Sequence, residues 1–155
     1  MRAIPTILLA AVLSAAPAGF AVASEQAQAL LDQAAIDCSD YEGGEFSASP
    51  SWLTAVDLTG DGVDDEIVDE GFFLCTSTEQ MFCGGVGCTI HAIVDGQRFG
   101  WVAYSWTVVE WETSRILLLS RHGTICGSPA TDDACYEALV WNGNRFLSVA
   151  PPPIE

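Results

Sequence analysis

Val94-Asp95-Gly96-Gln97-Arg98-Phe99 and Trp141-Asn142-Gly143-Asn144-Arg145-Phe146 carry one pattern twice: a hydrophobic residue, an acid or amide followed by glycine, then a polar residue, arginine and phenylalanine. Asp-Gly and Asn-Gly tolerate the positive φ angles of a type I′ turn, so each stretch predicts a β-hairpin. Residues 89–94 lead into the first turn and 98–106 leave it; 138–141 and 145–149 flank the second. Residues 108–111 and 116–120 between them, and 52–56 and 66–73 upstream, read as further short strands separated by turn signals. Two copies of a turn fall short of a repeat architecture, but they predict a meandering antiparallel sheet. Residues 25–36 break the pattern. Ala27, Leu30, Leu31, Ala34 and Ala35 recur there at helical spacing behind Ser24, a suitable N-cap. Residues 38–50 read as a Gly/Ser/acid-rich loop. The expected fold is α+β, mostly antiparallel β, with one N-terminal helix packed on a meandering sheet.

The N-terminus predicts the compartment. After Arg2, residues 4–22 are almost wholly apolar, and Ala21-Val22-Ala23 has the small-x-small pattern of a signal peptidase site. A transmembrane anchor is the rival reading, since an apolar run of about 20 residues can span a bilayer. Pro5 and Pro17 interrupt a helix of that length, and no Lys/Arg cluster follows Ala23. The first cysteine, Cys38, lies too far downstream for a lipoprotein. Residues 1–23 are therefore expected to be a cleaved signal peptide. Residues 24–155 are then a single β-rich domain, periplasmic or secreted, with no linker dividing it and length enough for a core.

Export changes the reading of the six cysteines. An even number in an exported chain predicts three disulfides, whereas CxxC spacing or a neighbouring histidine, the marks of a zinc site, are missing. Cys126 and Cys135 flank a polar turn and are expected to pair. Cys83 and Cys88 flank Gly84-Gly85-Val86-Gly87, a loop flexible enough to close a small ring. Cys38 with Cys75 then ties the helix to the body. Cys75–Cys83 with Cys38–Cys88 is the alternative.

Charge narrows the partners. The 155 residues hold 21 acids against five Lys+Arg, all arginine, for a net charge of −16. Such a surface repels phosphate backbones and anionic lipids, so nucleic acid and, after signal cleavage, membranes are excluded as partners. It favours calcium or a cationic protein. A monomer is expected. The acids also serve solubility, whatever else they do.

The acids gather most tightly in Asp57-Leu58-Thr59-Gly60-Asp61-Gly62-Val63-Asp64-Asp65. With Asp57 as the first ligand of a calcium loop, Thr59 falls at position 3, Asp61 at 5, Gly62 at 6, the Val63 carbonyl at 7 and Asp65 at 9. Glycine at 6 allows the bend that turns flanking side chains toward one point. Position 12, a bidentate glutamate in the helix-loop-helix EF-hand, is Val68 here, and the flanks read as strands. The stretch instead resembles the calcium loops of FG-GAP and VCBS-type exported proteins, roughly D-x-[DNT]-x-D-G-x-x-D before an apolar strand, and more distantly the dockerin loop. The resemblance covers about a dozen residues and implies a structural Ca2+ held by Asp57, Thr59, Asp61 and Asp65. Signal, helix, D-x-x-G-D-G strand, Cys-Gly-rich loop and W-[ND]-G-x-R-F turns together are similar to small exported bacterial proteins. That likeness bears on fold and brings no activity. An acidic Asp-Gly turn without metal is the plain alternative.

Catalytic candidates are sparse. His91 falls inside an expected strand and reads as a half-buried structural residue. His122 ends a strand beside Ser120, with Asp132 within reach of a loop, but no G-x-S-x-G motif accompanies them. Glu110 and Glu112 flank Trp111 and would share one strand face, as a two-carboxylate glycosidase site requires. In so acidic a chain a solvated face is the simpler reading. Trp101, Trp106, Trp111, Trp141 and Tyr104 could form a sugar platform, though most are expected in the core. The function expected is a non-enzymatic binding or envelope role, binding a cationic protein. A cell-wall or glycan hydrolase using His122 or Glu110/Glu112 is the alternative.

Overall fold

The computed structural model describes residues 23–112, 114–127 and 133–149. The expected signal peptide, apart from Ala23, and Asp132 lie outside the described residues. In chain order come helix α1 (Glu25–Asp40), then β1 (Phe46–Ala48), β2 (Leu53–Val56), β3 (Asp65–Asp69), β4 (Phe73–Cys75), β5 (Cys83–Gly84), β6 (Gly87–Val94), β7 (Gln97–Ala103), β8 (Ser105–Trp111), β9 (Ser114–His122), β10 (Ala134–Trp141) and β11 (Phe146–Ser148). Short 3-10 turns occupy Pro50–Trp52, Glu70–Phe72 and Gly123–Cys126.

Every strand pairing is antiparallel. The fold is α+β and mostly β, as the sequence predicts, but the strands divide among three sheets rather than one. A five-stranded sheet runs β2-β3-β6-β7, with β5 pairing the start of β6; a four-stranded sheet runs β11-β10-β9-β8; and β1 pairs β4 in a ribbon. Tyr104 is where the chain changes sheet. The single strand expected over 98–106 is β7 and the start of β8, and the Tyr104 amide reaches the Ser120 carbonyl at 2.7 Å.

The layers follow from side-chain alternation. Ile67, Ile90, Ala92 and Val94 meet Leu117, Leu119 and Leu139 of the second sheet in the main core. From the opposite face of the same strands, Val68 and Ile93 meet Ala27, Leu30 and Ala34 of α1, with Phe73 beside them. The five-stranded sheet is thus covered on both faces. Burying each large aliphatic here stabilises by about 1.5–3 kcal/mol relative to exposure.

Other differences from the sequence reading have local causes. The helix runs past Ile36 to Asp40 because Cys38 continues the buried stripe of Ala27, Leu30 and Ala34. The loop expected over 38–50 contains β1, whose Phe46 stacks edge-on against Phe73 at 5.3 Å between centroids. The strand expected over 66–73 is interrupted at Glu70–Phe72, where the Asp69 side chain caps a tight turn by accepting from the Gly71 amide at 2.8 Å. The disulfides are Cys38–Cys75, Cys83–Cys88 and Cys126–Cys135, and no described cysteine is free. Three such bonds accord with an oxidising compartment. Among the described residues no helix is long and apolar enough to cross a membrane.

Candidate cation-binding site

Val56 pairs with Asp65 across β2 and β3, so the strands themselves close the acidic loop. Leu58, the loop's second residue, is 2% exposed and sits in the main core. Its amide donates to Asp65 Oδ2 at 2.9 Å. The loop is therefore anchored at its base by one apolar side chain and one hydrogen bond between its ends. Asp57 organises the crest: Oδ1 accepts from the amides of Gly60 at 2.6 Å and Thr59 at 3.1 Å, and Oδ2 from Gly62 at 3.1 Å. Asp61 Oδ1 accepts from Val63 N at 2.8 Å. Gly60 and Gly62 take φ of 83° and 86°, which lets the backbone wrap the Asp57 carboxylate.

Electrostatics separate the two end carboxylates. The Gly60 amide chiefly, with those of Gly62 and Thr59 and the charge of Arg115, holds Asp57 below the usual carboxylate value against the opposing pull of desolvation. Asp65 is pushed up, first by burial and then by the charges of Asp61, Asp57 and Asp95, while the Leu58 amide opposes this. Asp95 belongs to the β6–β7 turn, so two separate turns bring carboxylates to the same end of the sheet. A groove of about 350 Å3 lies between them, walled by Asp64, Asp65, Glu66 and Asp95.

The donor set fits a hard cation. Asp57, Thr59, Asp61, the Val63 carbonyl and Asp65 offer oxygen alone, which suits calcium and not zinc. They are not gathered as a finished cage: among the described residues no three Asp, Glu, His or Cys side chains form a metal-holding group. Each loop carboxylate named as a ligand is bonded to a backbone amide, and Val63 is 66% exposed.

The catalytic candidates are dispersed. Glu110 lies on β8 and pairs with Arg115 at 3.2 Å, with 74% of its side chain exposed. Glu112 is not on that strand: β8 ends at Trp111, and Glu112 takes φ of 52° in the turn to β9. The shared face that the sequence suggests does not form, because the hairpin turns one residue too early. His122 is committed to a cap, with Nδ1 2.7 Å from Thr124 Oγ1 and accepting from the Thr124 amide at 3.3 Å. His91 is half-buried on β6, its Nε2 2.8 Å from Glu70 Oε1. Trp101, Trp106 and Trp141 pack against the main core, while Trp111 and Tyr104 are 65% and 47% exposed. The aromatics form no single platform.

Several contacts had no clear signal in the sequence. Glu66 accepts from the Ser24 amide at 2.8 Å and from its hydroxyl, fastening the head of α1 to β3. Asp69 accepts from Trp106 Nε1 at 3.1 Å, and Arg121 pairs with Glu137 while donating to the Val102 carbonyl at 3.0 Å. The Asp69–Trp106 and Arg121–Val102 contacts tie the two large sheets together, and the members of all four pairs lie 16 to 42 residues apart in sequence. No family model matches the chain, and no curated protein and no solved structure matches it.

Proposed function

We propose that this protein is a non-enzymatic binding protein of the periplasm or extracellular space, in which a calcium ion in loop 57–65 organises an acidic end that docks a cationic protein. The observation that carries this reading is the convergence of the β2–β3 loop and the β6–β7 turn, which leaves Asp65 crowded by the charges of Asp61, Asp57 and Asp95. Like charges held together by a covalent framework are relieved by a cation, either a metal or the basic residues of a partner. Two of the four arginines beyond residue 23 are engaged with Glu110 and Glu137, so little positive charge remains to offset the acids. The leader motif, the three disulfides and the acidity agree with an exported protein. The resemblance of the loop to FG-GAP and VCBS-type sequences supports calcium as the metal.

The test uses a defined cationic protein, lysozyme, with the purified mature chain. Association is expected at low salt, weakening steeply as ionic strength rises, and Asp61→Ala is expected to weaken it more when calcium is present than when it is absent. A chain that ignores lysozyme and other basic proteins at low salt, with calcium and without, overturns the docking role. Hydrolysis of cell-wall glycan that is lost on replacing His122 or Glu110 would install the enzymatic reading in its place.

A further inference from the structure

The Ser24 backbone nitrogen donates to Glu66 Oε1 at 2.8 Å, and the Ser24 hydroxyl donates to Glu66 Oε2. Both oxygens of one carboxylate are therefore directed at the first residue of the expected mature chain. Ser24 is also the N-cap of α1, its hydroxyl oxygen accepting from Ala27 N at 3.2 Å. On the sheet side, Asp64, Asp65 and Asp95 line the groove that Ser24 borders, and Gln26 Nε2 donates to the Gly96 carbonyl at 3.3 Å across it.

We propose that cleavage of the Ala23–Ser24 bond creates an ammonium group on Ser24 that Glu66 holds as an ion pair, so that removal of the leader fastens α1 to the sheet. The inference rests on the export reading above. In the cleavage, water adds across the peptide bond under a signal peptidase: the hydroxyl goes to the Ala23 carbonyl carbon, the C–N bond breaks, and the nitrogen leaves as the Ser24 amine. With an ordinary α-amino pKa of about 7.7–8.0, that amine takes up a further proton at neutral pH. A hydrogen bond in which only the acceptor is charged thereby becomes an ion pair in which donor and acceptor both are. The placement also answers a problem of helices. A cation at a helix N-terminus meets the positive end of the macrodipole, and so a freshly made ammonium would weaken α1 unless an anion stood beside it. Glu66, reaching over from β3, is that anion. Cleavage also forfeits the packing of Ala23 against the rim of the second core cluster, which the new ion pair offsets.

The mass of the protein recovered after export identifies its first residue, expected to be Ser24. A start at any other residue overturns the proposal through the leader reading alone. With that start established, four calcium-free proteins are melted at a pH of about 6, where the amine is charged whether the chain is folded or unfolded. They are the mature chain with a free or an acetylated amine, each with Glu66 or with Glu66→Gln. Acetylation keeps the N–H and removes the charge. It is expected to lower the melting temperature of the Glu66 chain by about 2–6 °C, and to raise slightly that of the Glu66→Gln chain, where it removes an unpaired cation from the head of α1. An equal loss in both backgrounds, or no loss in the Glu66 chain, overturns the pairing even where export is correct. A fifth protein retains residue 23 as Ala23→Gly, which moves the ammonium about 3.8 Å along the chain without restoring the packing of the Ala23 methyl. It is expected to melt with the acetylated form, and melting with the free-amine form would count against the pair even if Glu66→Gln failed to fold.

Discussion

Asp95 and Gly96 take φ of 50° and 71° between Val94 and Gln97, which pair directly, so this Asp-Gly is the two-residue turn its sequence predicts. Asn142-Gly143 is different. Trp141 pairs with Phe146, leaving four residues in the turn, and Asn142 Oδ1 accepts from the amides of Asn144 at 3.1 Å and Arg145 at 2.9 Å. An amide side chain that caps its own turn competes with the tighter geometry, and the same motif gives two loops. Gly44 is demanded by proximity: a Cβ there would stand 2.6 Å from Cys75 Sγ and 2.8 Å from the Cys38 carbonyl. Gly44→Ala is expected to destabilise by about 1–3 kcal/mol in urea unfolding. The carboxylates of the acidic loop set a pH dependence. Asp57, lowered from 3.8, contributes stability that is present above its unfolded value and is lost as pH falls through the folded one. Asp65, raised from 3.8, contributes in the opposite sense: its stability is present below the unfolded value and is lost as pH rises through the folded one. At neutral pH without metal, the ionised Asp65 is therefore a cost. Asp65→Asn is expected to raise the calcium-free melting temperature at neutral pH, with the gain fading into the acid range, and to reduce the gain that calcium brings. Calorimetry across pH checks this, and a lower melting temperature at neutral pH without calcium would contradict the sign.

Loop 57–65 behaves as an element in its own right, because Leu58 anchors it in the core and β2–β3 pairing closes it. Calcium is expected to raise the melting temperature by mass action on the folded state, with a dissociation constant of about 10⁻⁵ to 10⁻³ M for a site with no bidentate glutamate at its end. Asp61→Ala should abolish that rise and leave the disulfides intact, since Asp61 is exposed and its side chain bonds only within the loop. A melting temperature indifferent to both calcium and chelator makes the loop an ordinary solvated turn. Strands β3 and β6 show where element-scale reading stops. Ile67-Val68 and Ala92-Ile93-Val94 are consecutive apolar residues, the mark of a strand buried on both faces, yet a short apolar run does not say what covers each face. Here Ile67 faces the second sheet and Val68 the helix. Ile67→Ala is expected to cost about 2–5 kcal/mol, whereas Trp111→Ala, at a site 65% exposed, should stay within about 0.5 kcal/mol. Chemical denaturation distinguishes the two.

At the scale of the whole molecule, one disulfide fastens the helix to the body and two close short loops. Protein purified without reductant is expected to show no alkylatable thiol by mass, and loss of each native bond should cost about 2–5 kcal/mol. Any free thiol in the folded protein contradicts the pairing. Cys38–Cys75 joins α1 to the β1–β4 ribbon, while Cys83–Cys88 and Cys126–Cys135 each close a short loop. Much of this was legible from residue order, because the signals are local: the helical stripe behind Ser24, the Asp95-Gly96 turn, the short cysteine spacings and the regular acids of the loop all act within a dozen positions. Glu112 shows the limit, since one residue of hairpin register moved it off the strand face. By itself, then, the sequence determined the helix, the antiparallel strands, the acidity and the oxygen-rich loop, each a matter of neighbours along the chain. Only the tertiary structure decided that the strands form separate sheets, that Leu58 anchors the loop, that Asp95 joins the acidic end and that Glu66 holds Ser24. Those contacts join distant residues, and they arise when both faces of β3 and β6 find apolar cover at once.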